Sequence, residues 1–104
     1  MGKRDFCPLT AASEVLSRKW SLVIVGRLLE GGKRFSELRA SIPEISPKVL
    51  SSTLKALKNH GVVERMVDDG SPVKVKYRLT EKGLDLEGIV ESLEEWGEKW
   101  KNRR

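Results

Sequence analysis

Four side chains with short or cationic tips, Lys48, Ser51, Ser52 and Lys55, follow one another at +3, +1 and +3. On a helix these offsets bring all four to one face. Ammonium and hydroxyl groups in that arrangement suit a polyanion, since both donate to phosphate oxygens and reach base edges. A second basic set, Lys74, Lys76 and Arg78, alternates with Val73, Val75, Tyr77 and Leu79. With the period of two of a strand, the three cations share one face and the apolar residues the other. Arg34, Ser36 and Arg39 form a third cluster. Taken alone, each set also describes an ordinary solvated surface.

Cys7 is the one residue with covalent chemistry. It precedes Pro8 and a helix start, and Lys3 and Arg4 lie nearby in sequence. A helix N-terminus and neighbouring cations both favour the thiolate. The same position equally suits a small buried residue at a subunit interface. With one cysteine and one histidine in 104 residues, the chain forms no internal disulfide and no zinc site. His60, just before Gly61, reads as a helix-terminal residue facing the dipole, not as a ligand or a base. Neither a Gly-rich phosphate loop nor a nucleophile–histidine–acid set is present, so catalysis and a bound cofactor are not expected.

These side chains need elements to hold them. Pro8 sits just inside a first helix with apolar Leu9, Ala12, Val15 and Leu16. Lys19 to Glu30 is apolar nearly all round and reads as a buried central helix stopped by Gly31-Gly32. Gly26 inside it suits a close helix approach. Lys33-Arg34-Phe35 is expected as a very short strand, and Ser36 as the cap of a third helix with Leu38 and Ile42 inward. After a tight turn at Pro43–Ile45, Ser46-Pro47 starts a fourth helix that runs to about His60 on a buried stripe of Leu50, Leu54 and Leu57. Val62–Met66 and Val73–Leu79 read as strands joined by Asp68-Asp69-Gly70-Ser71-Pro72. Thr80 then caps a last helix over about 80–102. On it Leu86, Ile89, Leu93, Trp96 and Trp100 form a seam at +3, +4, +3 and +4, with Val90 beside it.

The length predicts a single domain over residues 1–104. No run approaches the roughly 20 apolar residues of a membrane span, so no membrane partner is expected. The N-terminus lacks an apolar leader, which points to the cytoplasm. Net charge is +5, unevenly spread. Residues 1–80 carry 15 basic and eight acidic side chains, residues 81–98 one basic and seven acidic, and residues 99–104 four basic. A basic body suits a polyanion, and an acidic last helix would be repelled by one.

The element order is that of a mainly α fold with a small β-hairpin, the winged helix-turn-helix. The helix over about 46–60 takes the recognition position and the hairpin over about 62–79 the wing. In such a fold Ser46, Lys48, Ser51, Ser52 and Lys55 face the major groove, and Lys74, Lys76 and Arg78 follow the backbone or the minor groove. Arg34, Ser36 and Arg39 touch phosphate. The Asp68-Asp69 tip directs the strand flank, not the extreme tip, toward DNA.

Over essentially its full length the chain also resembles the HxlR-type winged-helix transcriptional regulators. The resemblance rests on Cys7-Pro8-Leu9, Lys19-Trp20 and Arg34-Phe35-Ser36-Glu37-Leu38, then on Ile45-Ser46-Pro47-Lys48-Val49-Leu50-Ser51 and Leu54-Lys55-Ala56-Leu57. It continues through Gly61-Val62-Val63-Glu64-Arg65 and Pro72 to Thr80 with Gly83, and ends at Trp96-Gly97. Two departures stand out. Ser17-Arg18 occupy a place that is usually glycine, and Lys76 stands where an acid usually precedes the wing tyrosine. The resemblance implies a homodimer on a pseudo-palindromic operator, held by its terminal helices through Leu9, Leu86, Ile89, Val90, Leu93, Trp96 and Trp100. It also implies, for some relatives, oxidant or electrophile sensing at the position of Cys7. Any small-molecule effector is left unspecified. The alternative function is a winged-helix protein-interaction module, which would not need the basic faces.

Overall fold

A computed structural model of the chain describes residues 6–102. The described residues form α1 (Pro8–Leu16), α2 (Ser21–Leu28), α3 (Phe35–Ser41), α4 (Pro47–Asn59), β1 (Val63–Asp68), β2 (Lys74–Leu79), α5 (Glu81–Leu84) and α6 (Glu87–Trp100). β1 and β2 pair antiparallel, with Val63 opposite Leu79 and Asp68 opposite Lys74.

The apolar periodicities converge on one core. α2 supplies Ile24, Val25 and Leu28, α3 supplies Leu38, α4 supplies Leu50, Leu54 and Leu57, and the hairpin base supplies Val62, Val63 and Leu79. Each such aliphatic side chain contributes about 1.5–3 kcal/mol when fully buried. Ile42 and Ile45 are also buried, one on each side of Pro43-Glu44, and the Ile45 N–H donates to the Ile42 carbonyl at 3.1 Å. This plugged turn sets α4 against α3 as a helix-turn-helix, and the β1–β2 hairpin is its wing. Gly26 lies where α6 crosses α2. A Cβ there would stand 3.7 Å from Val90 Cγ1, an ordinary contact, so the approach tolerates a side chain.

Four local readings change. Lys33 makes one bridge, to Tyr77, and no strand forms at 33–35. A β-bridge at a single residue leaves Phe35 free to begin α3. The α3 cap position is accordingly Arg34, not Ser36, and the Glu37 carboxylate accepts the Arg34 N–H at 2.7 Å. The wing strands are Val63–Asp68 and Lys74–Leu79, so Val73 falls outside and is exposed.

The segment expected as one terminal helix is two. Thr80 Oγ1 accepts the Gly83 N–H at 3.2 Å and caps α5. Gly83 is pressed onto the hairpin base, where an added Cβ would clash with the Val62 carbonyl. That docking fixes the direction of α5. The chain then turns at Asp85-Leu86, with the Leu86 N–H bonded to the Gly83 carbonyl at 3.0 Å, before α6 starts.

Candidate nucleic-acid interface

α4 is held along its length and at both ends. Its inner stripe is buried, and the Ser46 hydroxyl accepts the Val49 N–H at 3.1 Å to close the first turn. Pro47 adds a preset backbone angle at the first helical position. Gly61, with φ +75, ends the helix in the left-handed conformation that glycine adopts without steric cost. The terminal carbonyls are taken up by α5: Lys82 Nζ donates to the His60 carbonyl at 2.8 Å, and the Thr80 hydroxyl donates to that of Gly61. The C-terminal end of α3 is tied to α2, because Arg27 Nε and Nη2 both donate to the Ser41 carbonyl at 3.3 Å.

Ser46, Lys48, Ser51, Ser52 and Lys55 are all exposed. Among the described residues neither lysine forms an ion pair; the pairs present are Lys33–Glu30, Arg78–Glu64 and Lys101–Glu98. Ser52 differs from its neighbours. Its hydroxyl proton goes to the Val49 carbonyl at 3.2 Å, and its oxygen accepts Arg18 Nη1 at 3.3 Å. Arg18 therefore stands beside α4, from the turn between α1 and α2. Residue spacing on α4 could not have found it, since the two positions are 34 apart.

The start of α3 meets the wing. Arg34, Lys74 and Lys76 line one hollow together with Met66, Val67 and Asp68, while Ser36 and Arg39 line another on α3 with Phe35, Ala40 and Pro43. Glu37 sits among the cations. The Arg34 N–H, and then the charges of Arg34, Lys76 and Lys33, hold its carboxyl below the usual range. The wing face is less basic than its second strand suggests. Across the ladder Lys74 faces Asp68, Lys76 faces Met66 and Arg78 faces Glu64. Arg78 Nε donates to Glu64 Oε2 at 2.6 Å, so its charge is already matched.

The residues read as a subunit seam divide. Val90 is buried in the core of its own chain, and Leu86 packs against that core. Leu86 is the N-cap of α6, and Val90 lies in its first turn beside Gly26 of α2. Ile89, Leu93, Trp96, Trp100 and Leu9 remain exposed, with Trp96 66% and Leu9 78% accessible. α1 buries no residue at all. Gly97, on the same side of α6 as Val90 and Leu93, has nothing within 4 Å of where a Cβ would be. Between α2 and α6 an apolar groove of about 270 Å³ is lined by Leu22, Val23, Gly26, Val90 and Leu93, with Arg27 and Glu94 at its polar edge.

Cys7 is exposed at the N-cap of α1. The Thr10 hydroxyl, followed by the backbone N–H groups of Thr10 and Leu9, lowers its thiol from the ordinary value. Lys3 and Arg4, the cations expected to assist, lie outside the described residues. Among those residues no helix is long and apolar enough to cross a membrane, and no cluster of His, Cys, Asp and Glu could hold a metal.

Known proteins share this arrangement. The HTH-type transcriptional regulator YvaP of Bacillus subtilis is 41% identical over 101 residues, covering 96% of this chain and 94% of that protein. The solved structure of the redox regulator HypR in its reduced form superposes with a TM-score of 0.85 at 36% identity, covering 92% of this chain and 95% of that one. The reduced form of the transcriptional regulator YodB from B. subtilis superposes with a TM-score of 0.82 at 37% identity, covering 95% and 98%. The sequence pattern of the HxlR-like helix-turn-helix group matches residues 15–104, from the end of α1 through both helices of the motif, the wing and α6. With its helix-turn-helix, its wing and this match together, the chain belongs to the HxlR-like helix-turn-helix family.

Proposed function

We propose that the chain binds a pseudo-palindromic operator near a promoter as a homodimer, presenting one α4 to each of two successive major grooves. As a member of this family it is a DNA-binding regulator of transcription, not an enzyme. The observation that carries the finer reading is the α4 face: Lys48 and Lys55 are exposed and free of ion pairs, on a helix anchored at both ends. A rigid helix with unmatched cations delivers charge to phosphate without first breaking an internal pair. Ser46, Ser51 and Ser52 share that face. Arg34, Ser36 and Arg39 at α3, with Lys74 and Lys76 on the wing, supply flanking backbone contacts, while Arg78 stays paired with Glu64.

Dimerisation is supported by what the single chain leaves bare. Leu9, Ile89, Leu93, Trp96 and Trp100 expose apolar surface on α1 and α6, and a second copy of the same helices would cover it. A two-fold pair would set its recognition helices about 34 Å apart, one turn of DNA. The acidic side of α6 is repelled by phosphate and belongs away from the duplex. Cys7 is the proposed point of signal entry: it is exposed, its thiol pKa is lowered by the Thr10 hydroxyl and nearby backbone N–H groups, and HypR, a structural neighbour, is a redox regulator. Oxidised Cys7 would pair with a partner subunit or a small thiol, since the chain has no second cysteine.

The test is charge reversal of Lys48 and Lys55 together. The Lys48→Glu/Lys55→Glu variant should keep the circular dichroism and solution mass of the parent. It should lose DNA affinity by more than about 10³-fold at moderate salt, because four phosphate contacts per dimer become repulsions. Unchanged affinity would remove α4 from the interface and favour the protein-interaction module.

A further inference from the structure

We propose that Arg18 is a DNA-phosphate contact of this chain, delivered to the edge of the recognition helix by Ser52. The inference rests on the DNA-binding reading above and adds a residue from outside the helix-turn-helix and the wing. Ser52 lies on the outward side of α4 with Lys48 and Lys55. A serine hydroxyl has one proton, and that of Ser52 is directed to the Val49 carbonyl at 3.2 Å. Toward DNA it is left with acceptor capacity only, which a phosphate oxygen cannot use. Its free lone pair instead accepts Arg18 Nη1 at 3.3 Å. At this edge of α4 the group able to donate to phosphate is therefore the guanidinium.

Arg18 is placed for that task. Its carbonyl accepts the Ser21 N–H at 3.1 Å, so the residue sits in a hydrogen-bonded turn at the start of α2. The adjacent cation is differently engaged: Lys19 Nζ lies over the Trp20 ring, 5.0 Å from its centroid. Arg18 is exposed, and among the described residues it is in none of the ion pairs. One of its five N–H groups is spent on Ser52, and the rest of the planar fork is available for the two-point contact that arginine makes with phosphate. Ser52 is thus a positioning residue, and Arg18 is the contact.

The experiment uses the full chain and a duplex selected by the parent protein from a random-sequence pool. Affinity is read by fluorescence anisotropy across a potassium chloride series for the parent, Arg18→Ala, Arg18→Lys, Ser52→Ala and the Arg18→Ala/Ser52→Ala double variant. Arg18→Ala should weaken binding about tenfold and reduce the slope of log affinity against log salt by about 1.8 per dimer, one phosphate from each subunit. Arg18→Lys should keep the slope while losing part of the affinity. Ser52→Ala should fall between parent and Arg18→Ala, and the double variant should be no weaker than Arg18→Ala. A parental slope and affinity in Arg18→Ala would overturn the contact. Additive losses in the double variant would overturn the positioning role. If the parent selects no duplex at all, the DNA-binding reading itself fails and takes this inference with it, a result distinct from normal binding by a variant.

Discussion

The outward faces of α4 and α6 are unfinished in opposite ways. α4 turns cations and hydroxyls to solvent from a helix whose inner side is fully committed to the core. α6 is committed only through Leu86 and Val90, and from Ile89 to Trp100 it exposes large apolar groups on a helix whose remaining surface is rich in glutamate. One face lacks a polyanion, the other an apolar partner. Under the proposed function, the chemistry of the two faces alone would separate recognition from assembly within one small domain. On the proposed reading, the glutamates of α6 would be repelled by phosphate, and α4, where Val49 is its one large exposed apolar group, would be left to DNA.

The largest effect that can break this division comes from α6. Ile89→Asp with Trp96→Asp should convert the dimer to monomer in sedimentation, and the loss of bivalency should lower operator affinity about 10²–10⁴-fold. A variant that stays dimeric would place the subunit contact elsewhere. Smaller effects come from the wing. Lys74→Ala with Lys76→Ala should weaken binding about 10²-fold at moderate salt and reduce the salt slope by about 3.6 per dimer, if all four cations meet phosphate. Anisotropy titrations at several salt concentrations read both. Smaller still is Arg78→Ala. Glu64 already holds that guanidinium, so affinity should change less than about threefold, and exposed pairs of this kind add about 0–1 kcal/mol to stability. A loss as large as that of the lysine pair would show that Arg78 leaves Glu64 for DNA.

The finest prediction concerns Cys7. Its lowered thiol pKa means that the thiolate persists to lower pH than in an ordinary cysteine. The pH midpoint for alkylation by iodoacetamide should lie below that of a free cysteine peptide. Thr10→Val, which removes the first of the stabilising groups, should raise it. An unshifted midpoint in the parent would leave Cys7 without the activation that sensing requires.

Much of this was legible in the residue order because the core obeys simple periods. Leu50, Leu54 and Leu57 fixed which side of α4 faces outward, and the alternation around Tyr77 fixed the wing. What escaped depends on contacts between distant segments. The break at Asp85-Leu86 comes just after Gly83 packs against the Val62 carbonyl, a contact no local pattern records. Val90 reads as a seam residue by spacing, yet α2 covers it. The wing cations are countable in sequence, but the register that sets Glu64 against Arg78 belongs to the folded hairpin. Arg18 was visible only as a departure from the family pattern. Its hydrogen bond to Ser52 across the fold gives the departure a physical meaning.

A dimer that reads sequence through α4 is best tested by titrating the chain against the DNA just upstream of its own gene and against an unrelated duplex of equal length, from 50 to 200 mM salt. Two chains should bind each specific site, and that binding should survive near 150 mM salt, where the unrelated duplex is released. Affinity should fall by roughly 10³–10⁵ across the series, for about 6–10 phosphates neutralised. No binding to either duplex at the lowest salt would contradict this reading.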